Sequence, residues 1–112
     1  YYNKNLLIID NEIELPRVLP NIKHVWHHYV VKFRRRNKIV QILEENGFKT
    51  MIHYPMPPHM TSSYKNLNIK EGDLINTEIL SKRILSLPTY DLNLAKRITL
   101  KINTYLKKGL KN

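Results

Sequence analysis

Six prolines divide this chain and limit where regular structure can form. Proline locks its own φ, carries no amide hydrogen and biases the residue before it toward extended backbone. Pro16 and Pro20 bracket Arg17-Val18-Leu19, which predicts an extended, turn-rich connection. Pro55, Pro57 and Pro58 hold residues 55–59 as an ordered loop that is not helical. Pro88, after Ser86-Leu87, predicts the end of a helix and a short extended piece beside a sheet.

Between those stops the residue pattern predicts strands and helices. In residues 25–33 aromatic and β-branched side chains dominate, and strand alternation sets Val25, His27, Tyr29, Val31 and Phe33 on one face. Trp26, His28, Val30 and Lys32 fall on the other, so both faces need cover. Residues 35–46 read as a helix with Ile39, Val40 and Leu43 in one stripe and Arg36 at its near end. Gly47 supplies the left-handed residue that ends it, and Phe48 packs back onto Leu43 in a Schellman stop. Arginines at the start and Glu44-Glu45 at the end oppose the helix dipole, which points to another task for the arginines. Residues 49–54 read as a second strand, stopped by Pro55. Residues 60–75 are loop-like, and Asn76 or Thr77 then caps a helix to about residue 85 with Glu78 in its first turn. Asp91 or Asn93 caps a final helix whose stripe is Ala95, Ile98, Ile102, Tyr105 and Leu106. Residues 1–9 read as the last turns of a further helix. The expected fold is a small α/β (α+β) domain, a sheet of two to four strands packed with about three helices.

At 112 residues the chain fits one domain spanning 1–112. It has no cysteine, which excludes a disulfide scaffold, a thiolate metal site and a cysteine nucleophile. The longest apolar run, Leu6-Leu7-Ile8-Ile9, is far short of the roughly 20 residues that span a bilayer. No signal peptide is evident and the first residue is not methionine, so the chain is expected to be part of something longer. The net charge of +10 favours phosphate partners in general. Only Arg34-Arg35-Arg36 forms a dense block, with Lys107-Lys108 and Lys111 trailing, and no nucleic-acid-binding motif accompanies it. A solvated basic surface is therefore expected, and nucleic-acid binding is not. His24 and His28 have helical metal spacing, but they lie in a strand-like segment without nearby acids, so no metal site is expected. His27 reads as a buried, hydrogen-bonded histidine.

Reactive polar side chains concentrate in His53-Tyr54-Pro55-Met56-Pro57-Pro58-His59. A strand that ends in His-Tyr and enters a proline-stiffened loop fixes its terminal side chains at small entropic cost, which suits a binding site. His53 and His59 offer hydrogen bonds to phosphate or sugar hydroxyls, and Tyr54 offers a hydroxyl on an apolar ring. The same residues also fit a purely structural role, capping the sheet while the prolines terminate it. No Ser-His-Asp order, Gly-rich loop or carboxylate pair completes an active site.

The ordered series Val25-Trp26-His27-His28-Tyr29-Val30-Val31, Arg36, Glu45-Asn46-Gly47-Phe48-Lys49-Thr50, Ile52-His53-Tyr54-Pro55, Pro57, His59, Tyr64, Thr77-Glu78 and Leu85-Ser86-Leu87-Pro88 resembles the C-terminal small domain of the DegT/DnrJ/StrS family of sugar aminotransferases. The resemblance runs from residue 1 to about residue 106. It implies the small lobe of a fold-type I aminotransferase that uses pyridoxal phosphate (PLP) to aminate keto-sugars carried on nucleotides, with dTDP-linked sugars the nearest kind. It also implies a cytoplasmic, homodimeric parent, an amino-acid donor such as glutamate, and amino-sugar or polysaccharide biosynthesis. The lysine that forms the Schiff base belongs to the absent large domain, so no catalytic residue, no bound PLP and no activity are expected of this chain alone. By the same likeness His53, Tyr54 and His59 face the substrate, and Arg36 is a candidate for its diphosphate. His28 stands where an apolar residue is commoner, and Asp91 where proline is frequent. The competing classes are a stand-alone basic module for nucleotides or nucleic acid, and a folded remnant without a ligand.

Overall fold

The computed structural model describes residues 1–109, so Lys111 of the basic C-terminal group lies outside the described residues. In chain order the elements are α1 (Tyr2–Asn5), β1 (Ile13–Glu14), β2 (Tyr29–Phe33), α2 (Arg36–Glu45), two 3-10 turns (Pro58–Met60 and Ser62–Leu67), α3 (Ile75–Arg83), β3 (Ile84–Leu87) and α4 (Leu92–Gly109). The strands form an antiparallel sheet in the order β1-β2-β3, with Ile13 opposite Phe33 and Tyr29 opposite Leu87. Three strands with three main helices give the small α+β architecture that the sequence pattern predicts.

Alternation along β2 sends Tyr29, Val31 and Phe33 inward, where they meet Leu85 and Leu87 of β3. Ile39 and Leu43 of α2 and Ile98, Ile102 and Leu106 of α4 complete this core. Helical period places each of those residues on one stripe, and burying the stripe supplies most of a short helix's stability. α2 ends as expected: Gly47 has φ +78°, its N–H donates to Glu44 O at 2.9 Å, and Phe48 N–H donates to Leu43 O at 2.9 Å. Asp91, not Asn93, caps α4, its Oδ1 accepting from Leu94 N–H at 2.9 Å. The N-terminal segment is tied across the molecule, Tyr2 Oη–H donating to Pro88 O at 2.9 Å and Leu7 N–H to Asn103 Oδ1 at 2.8 Å.

Several boundaries differ from the sequence expectation: α1 stops at Asn5 short of residue 9, and Asn76 and Thr77 lie inside α3 instead of capping it. The strand expected at 25–33 begins only at Tyr29. Trp26 has φ +50°, its amide donates to His24 Nδ1 at 2.9 Å, and Val25 is 86% exposed. A left-handed residue turns the chain, and a local side-chain bond takes the amide that a ladder needs. Residues 49–54 form no strand but a single bridge, Met51 with Ser86, where Ser86 N–H donates to Met51 O at 2.8 Å. The helix expected to reach residue 85 stops at Arg83 because Ile84–Leu87 pairs with β2 and buries Leu85 and Leu87. Tertiary pairing there overrides helix propensity.

The arginine block also has tertiary partners. Arg35 Nε pairs with Glu12 Oε2 at 3.2 Å and its guanidinium lies over the Tyr105 ring at 5.4 Å, while Arg34 pairs with Glu12 at 3.5 Å.

Candidate functional site

The loop after Met51 is pinned at both ends. His53 Nδ1 lies 2.8 Å from Ser86 Oγ, and the neighbouring Met51 bridges to the same residue through the backbone. The peptide bond between His53 and Tyr54 is cis. Tyr54 stands 72% exposed with its ring edge-on to His53 at 5.7 Å. At the far end the Pro58–Met60 turn folds His59 inward, leaving it 7% exposed, and its Nε2–H donates to Glu78 Oε1 at 3.1 Å. His59 Nδ1 is buried without a partner.

Glu78 is the hub of that far anchor. Its carboxylate also accepts from Gly72 N–H at 2.9 and 3.0 Å and from Leu74 N–H at 3.4 Å. Burial pushes its carboxyl up, but the Gly72 amide, His59 and the Leu74 amide outweigh this and hold it below the usual range. Glu78 thereby reaches back from the first turn of α3 to the backbone amides that precede the helix, at a start with no side-chain cap at Leu74. The residue predicted as a first-turn acid thus joins the Pro-rich loop, the Gly72 turn and a helix start.

A cleft of about 230 Å³ opens beside the loop, lined by His53, Tyr54 and Pro57 on one side and Thr77, Ser81 and Ile84 on the other. Of the four residues singled out from the sequence, His53 and Tyr54 reach it. His59 lies beneath the loop as an anchor. Arg36 points into the fold, 8% exposed, its Nη1 donating to Ile84 O at 3.2 Å and its Nε to Asn37 Oδ1 at 2.7 Å. The guanidinium therefore joins α2 to the junction of α3 and β3.

The structure adds two histidines that the strand reading had separated. His28 stacks on His53 at 4.2 Å and 25°, and His27 lies against His28 at 4.1 Å. His27 is exposed, not buried as expected, because residues 24–28 are not strand. Partial desolvation, then the His27 and His53 rings, hold His28 below the ordinary histidine value. No pattern within one element signals this row, since His53 is joined to it only by folding.

On another face Tyr2, Trp26, Tyr29, Pro88 and Tyr90 line an aromatic cleft of about 310 Å³. Tyr29 packs at 4.9 Å from Tyr2 and 5.1 Å from Trp26, its hydroxyl donates to Asn3 Oδ1, and burial raises it to about 12. A third, polar cleft of about 530 Å³ holds Asp10, Glu14, Arg17 and Arg83. Among the described residues no group of three or more His, Asp or Glu is arranged to hold a metal ion, and no helix is long and apolar enough to cross a membrane. None of these three clefts is lined by a lysine.

Comparison with known proteins places these features in a family. The sequence profile of the DegT/DnrJ/EryC1/StrS aminotransferase family matches residues 1–99. The chain is 36% identical over 76 residues to the dTDP-3-amino-3,4,6-trideoxy-alpha-D-glucose transaminase of Streptomyces venezuelae, covering 68% of this chain and 20% of that protein. It is 38% identical over 76 residues to the dTDP-3-amino-3,6-dideoxy-alpha-D-galactopyranose transaminase of Aneurinibacillus thermoaerophilus, with the same two coverages. The crystal structure of S. venezuelae DesV in complex with a ketimine intermediate superposes with a TM-score of 0.78 at 30% identity, over 84% of this chain and 26% of that one. The chain spans about a fifth of the length of the curated relatives it matches.

Proposed function

Because the chain belongs to the DegT/DnrJ/EryC1/StrS aminotransferase family, we propose that it is the small C-terminal domain, residues 1–112, of an enzyme that aminates a nucleotide-linked keto-sugar. Two of its relatives carry dTDP-amino-sugar transaminase names, which favours a dTDP-linked substrate. The observation that carries the reading is the loop pinned to Ser86 at one end and to Glu78 at the other, presenting Tyr54 to an open cleft. Fixing both ends removes the entropy that a mobile loop loses on binding. His53 and Tyr54 form the wall that the substrate meets, His59 positions that wall from beneath, and Arg36 supports it from within the fold.

In the whole protein PLP supplies the electron sink for moving nitrogen from an amino-acid donor such as glutamate to the keto carbon. The described residues do not make a site for that cofactor. A Schiff-base lysine sits in a shaped pocket, and the clefts here hold none. On this reading the cofactor lysine and the dimer partner belong to the rest of a cytoplasmic parent, and no step through PLP is assigned to this chain.

The test is a titration of the 112-residue chain with a dTDP-hexose while following the ring signals of His53 and Tyr54 by NMR. Saturable shifts at both are the expected result. Shifts confined to the arginine and lysine surface, weakening steeply with salt, would favour a basic binding module instead. No shift anywhere would leave a folded remnant.

A further inference from the structure

Along its 18 residues α4 carries Lys96, Arg97, Lys101, Lys107 and Lys108 and no acidic residue. Its inward stripe of Ala95, Ile98, Ile102 and Leu106 takes one side of the helix. Helical period places the basic side chains on the opposite side, grouped around Leu100, and all of them are exposed. Leu100 itself is 65% exposed. Among the described residues no ion pair involves an α4 side chain; the pairs use Glu12, Glu14 and Glu78. Asp91, just before the helix, has its Oδ1 engaged by Leu94 N–H. Helix stability does not account for the pattern. The helix dipole favours cations in the last turn, where Lys107 and Lys108 stand, but gives nothing to Lys96 and Arg97 in the second.

The shape of this surface decides the class of partner. It is the flank of a helix roughly 27 Å long, and none of the three clefts is lined by its basic residues. Such a flank fits an extended anionic partner and not an enclosed small ligand. The leucine at its centre then separates one such partner from another. A nucleic acid offers phosphates and, where single-stranded, bases that stack on open rings. Beside α4 the Tyr105 ring lies under Arg35 at 5.4 Å and the buried Phe48 ring under Arg97 at 5.1 Å, so neither is open to a base. A phosphate backbone would leave Leu100 in water. An anionic bilayer takes both parts, its headgroups meeting the cations and its acyl boundary meeting the leucine. Lysine stems suit the same arrangement, since they lie along apolar surface while the ammonium stays at headgroup level.

We propose that the outward face of α4, Leu100 ringed by Lys96, Arg97, Lys101, Lys107 and Lys108, docks on an anionic lipid surface. The helix lies on the membrane plane and does not cross it. Its apolar stripe stays in the core, so attachment is mainly electrostatic and reversible. The proposal does not depend on the substrate proposed above, whose cleft is lined by other elements.

In the experiment the 112-residue chain is sedimented with vesicles of phosphatidylglycerol and phosphatidylcholine in equal parts, and separately with vesicles of phosphatidylcholine alone. Binding to the mixed vesicles only, weakening steeply as salt is raised, is the expected result. Lys101→Gln with Lys108→Gln weakens it by roughly 25-fold, about fivefold for each lysine at an anionic surface. Leu100→Gln weakens it by roughly fivefold at unchanged charge. These positions are exposed, so the melting temperature should stay put. Lys65→Gln with Lys70→Gln, in the segment before α3, removes the same charge at other exposed positions and should weaken binding by about twofold at most. If that control pair costs as much as the α4 pair, net charge alone is responsible and the α4 face is overturned. Equal affinity for a DNA duplex, or no effect of Leu100→Gln, makes the face a general polyanion surface and overturns the lipid assignment. No binding to the mixed vesicles, or equal binding to both kinds, overturns the proposal outright.

Discussion

Replacing Arg36 with methionine keeps an unbranched stem in the same buried place and deletes only the guanidinium. Two hydrogen bonds go with it, one to Ile84 O at 3.2 Å and one to Asn37 Oδ1 at 2.7 Å. Asn37 is exposed, so water replaces its lost partner and that bond contributes little. Ile84 O, where α3 passes into β3, loses a charged donor, and such a bond contributes about 1.5–3 kcal/mol. Relief of a desolvated charge offsets part of this, which leaves a net loss of about 2 kcal/mol. Urea denaturation near neutral pH should show that loss as a lower midpoint at unchanged slope. For a chain of this length the melting temperature should fall by roughly 8–12 °C. Below that temperature, thymidine diphosphate affinity should match the parent chain's. Stability held within about 0.5 kcal/mol, the range of ordinary surface changes, together with markedly weaker nucleotide binding would refute the reasoning. Arg36 would then face the ligand, as its place in the sequence suggests.

Other consequences follow from single contacts. Asp91→Ala removes the cap on Leu94 N–H and should cost about 1 kcal/mol in chemical denaturation, while Asp91→Asn should recover most of it; equal stability of the two variants would discount the cap. Glu78 has its folded pKa held below the ordinary carboxylate value, so its contribution is complete at neutral pH and is lost as pH falls through that lowered pKa. Glu78→Gln should therefore lower stability at neutral pH and flatten the acid limb of the stability curve; parallel limbs would show that Glu78 is not its source. The 112-residue chain supplied with PLP, glutamate and a dTDP-keto-sugar should consume no glutamate, and turnover above the chain-free rate would place catalytic groups within it.

Much of the local structure is legible in the residues because its causes are local. The end of α2 depends on Gly47 and Phe48 lying two and three residues past Glu45, its last residue, and the α4 stripe on spacings of three and four. The strand at 25–33 misleads because composition favours a ladder, whereas the left-handed Trp26 and its bond to His24 decide that only Tyr29–Phe33 joins it. His59 and Arg36 look like ligand-facing groups in a linear reading, since nothing near them in sequence reveals Glu78 or Ile84 O as partners.

The chain's own order of residues determined its main helices, its α+β class and the place of the Pro-rich loop, because propensity and periodicity act within a few residues of one another, whereas the strand boundaries were set by pairing. Which polar side chains remain open to a ligand was decided only by packing. Ser86 and His53 lie 33 residues apart and Glu78 and His59 lie 19 apart, so their hydrogen bonds exist only after the sheet and helices have closed around them. Those long-range partners turn Arg36 and His59 inward and leave His53 and Tyr54 facing out.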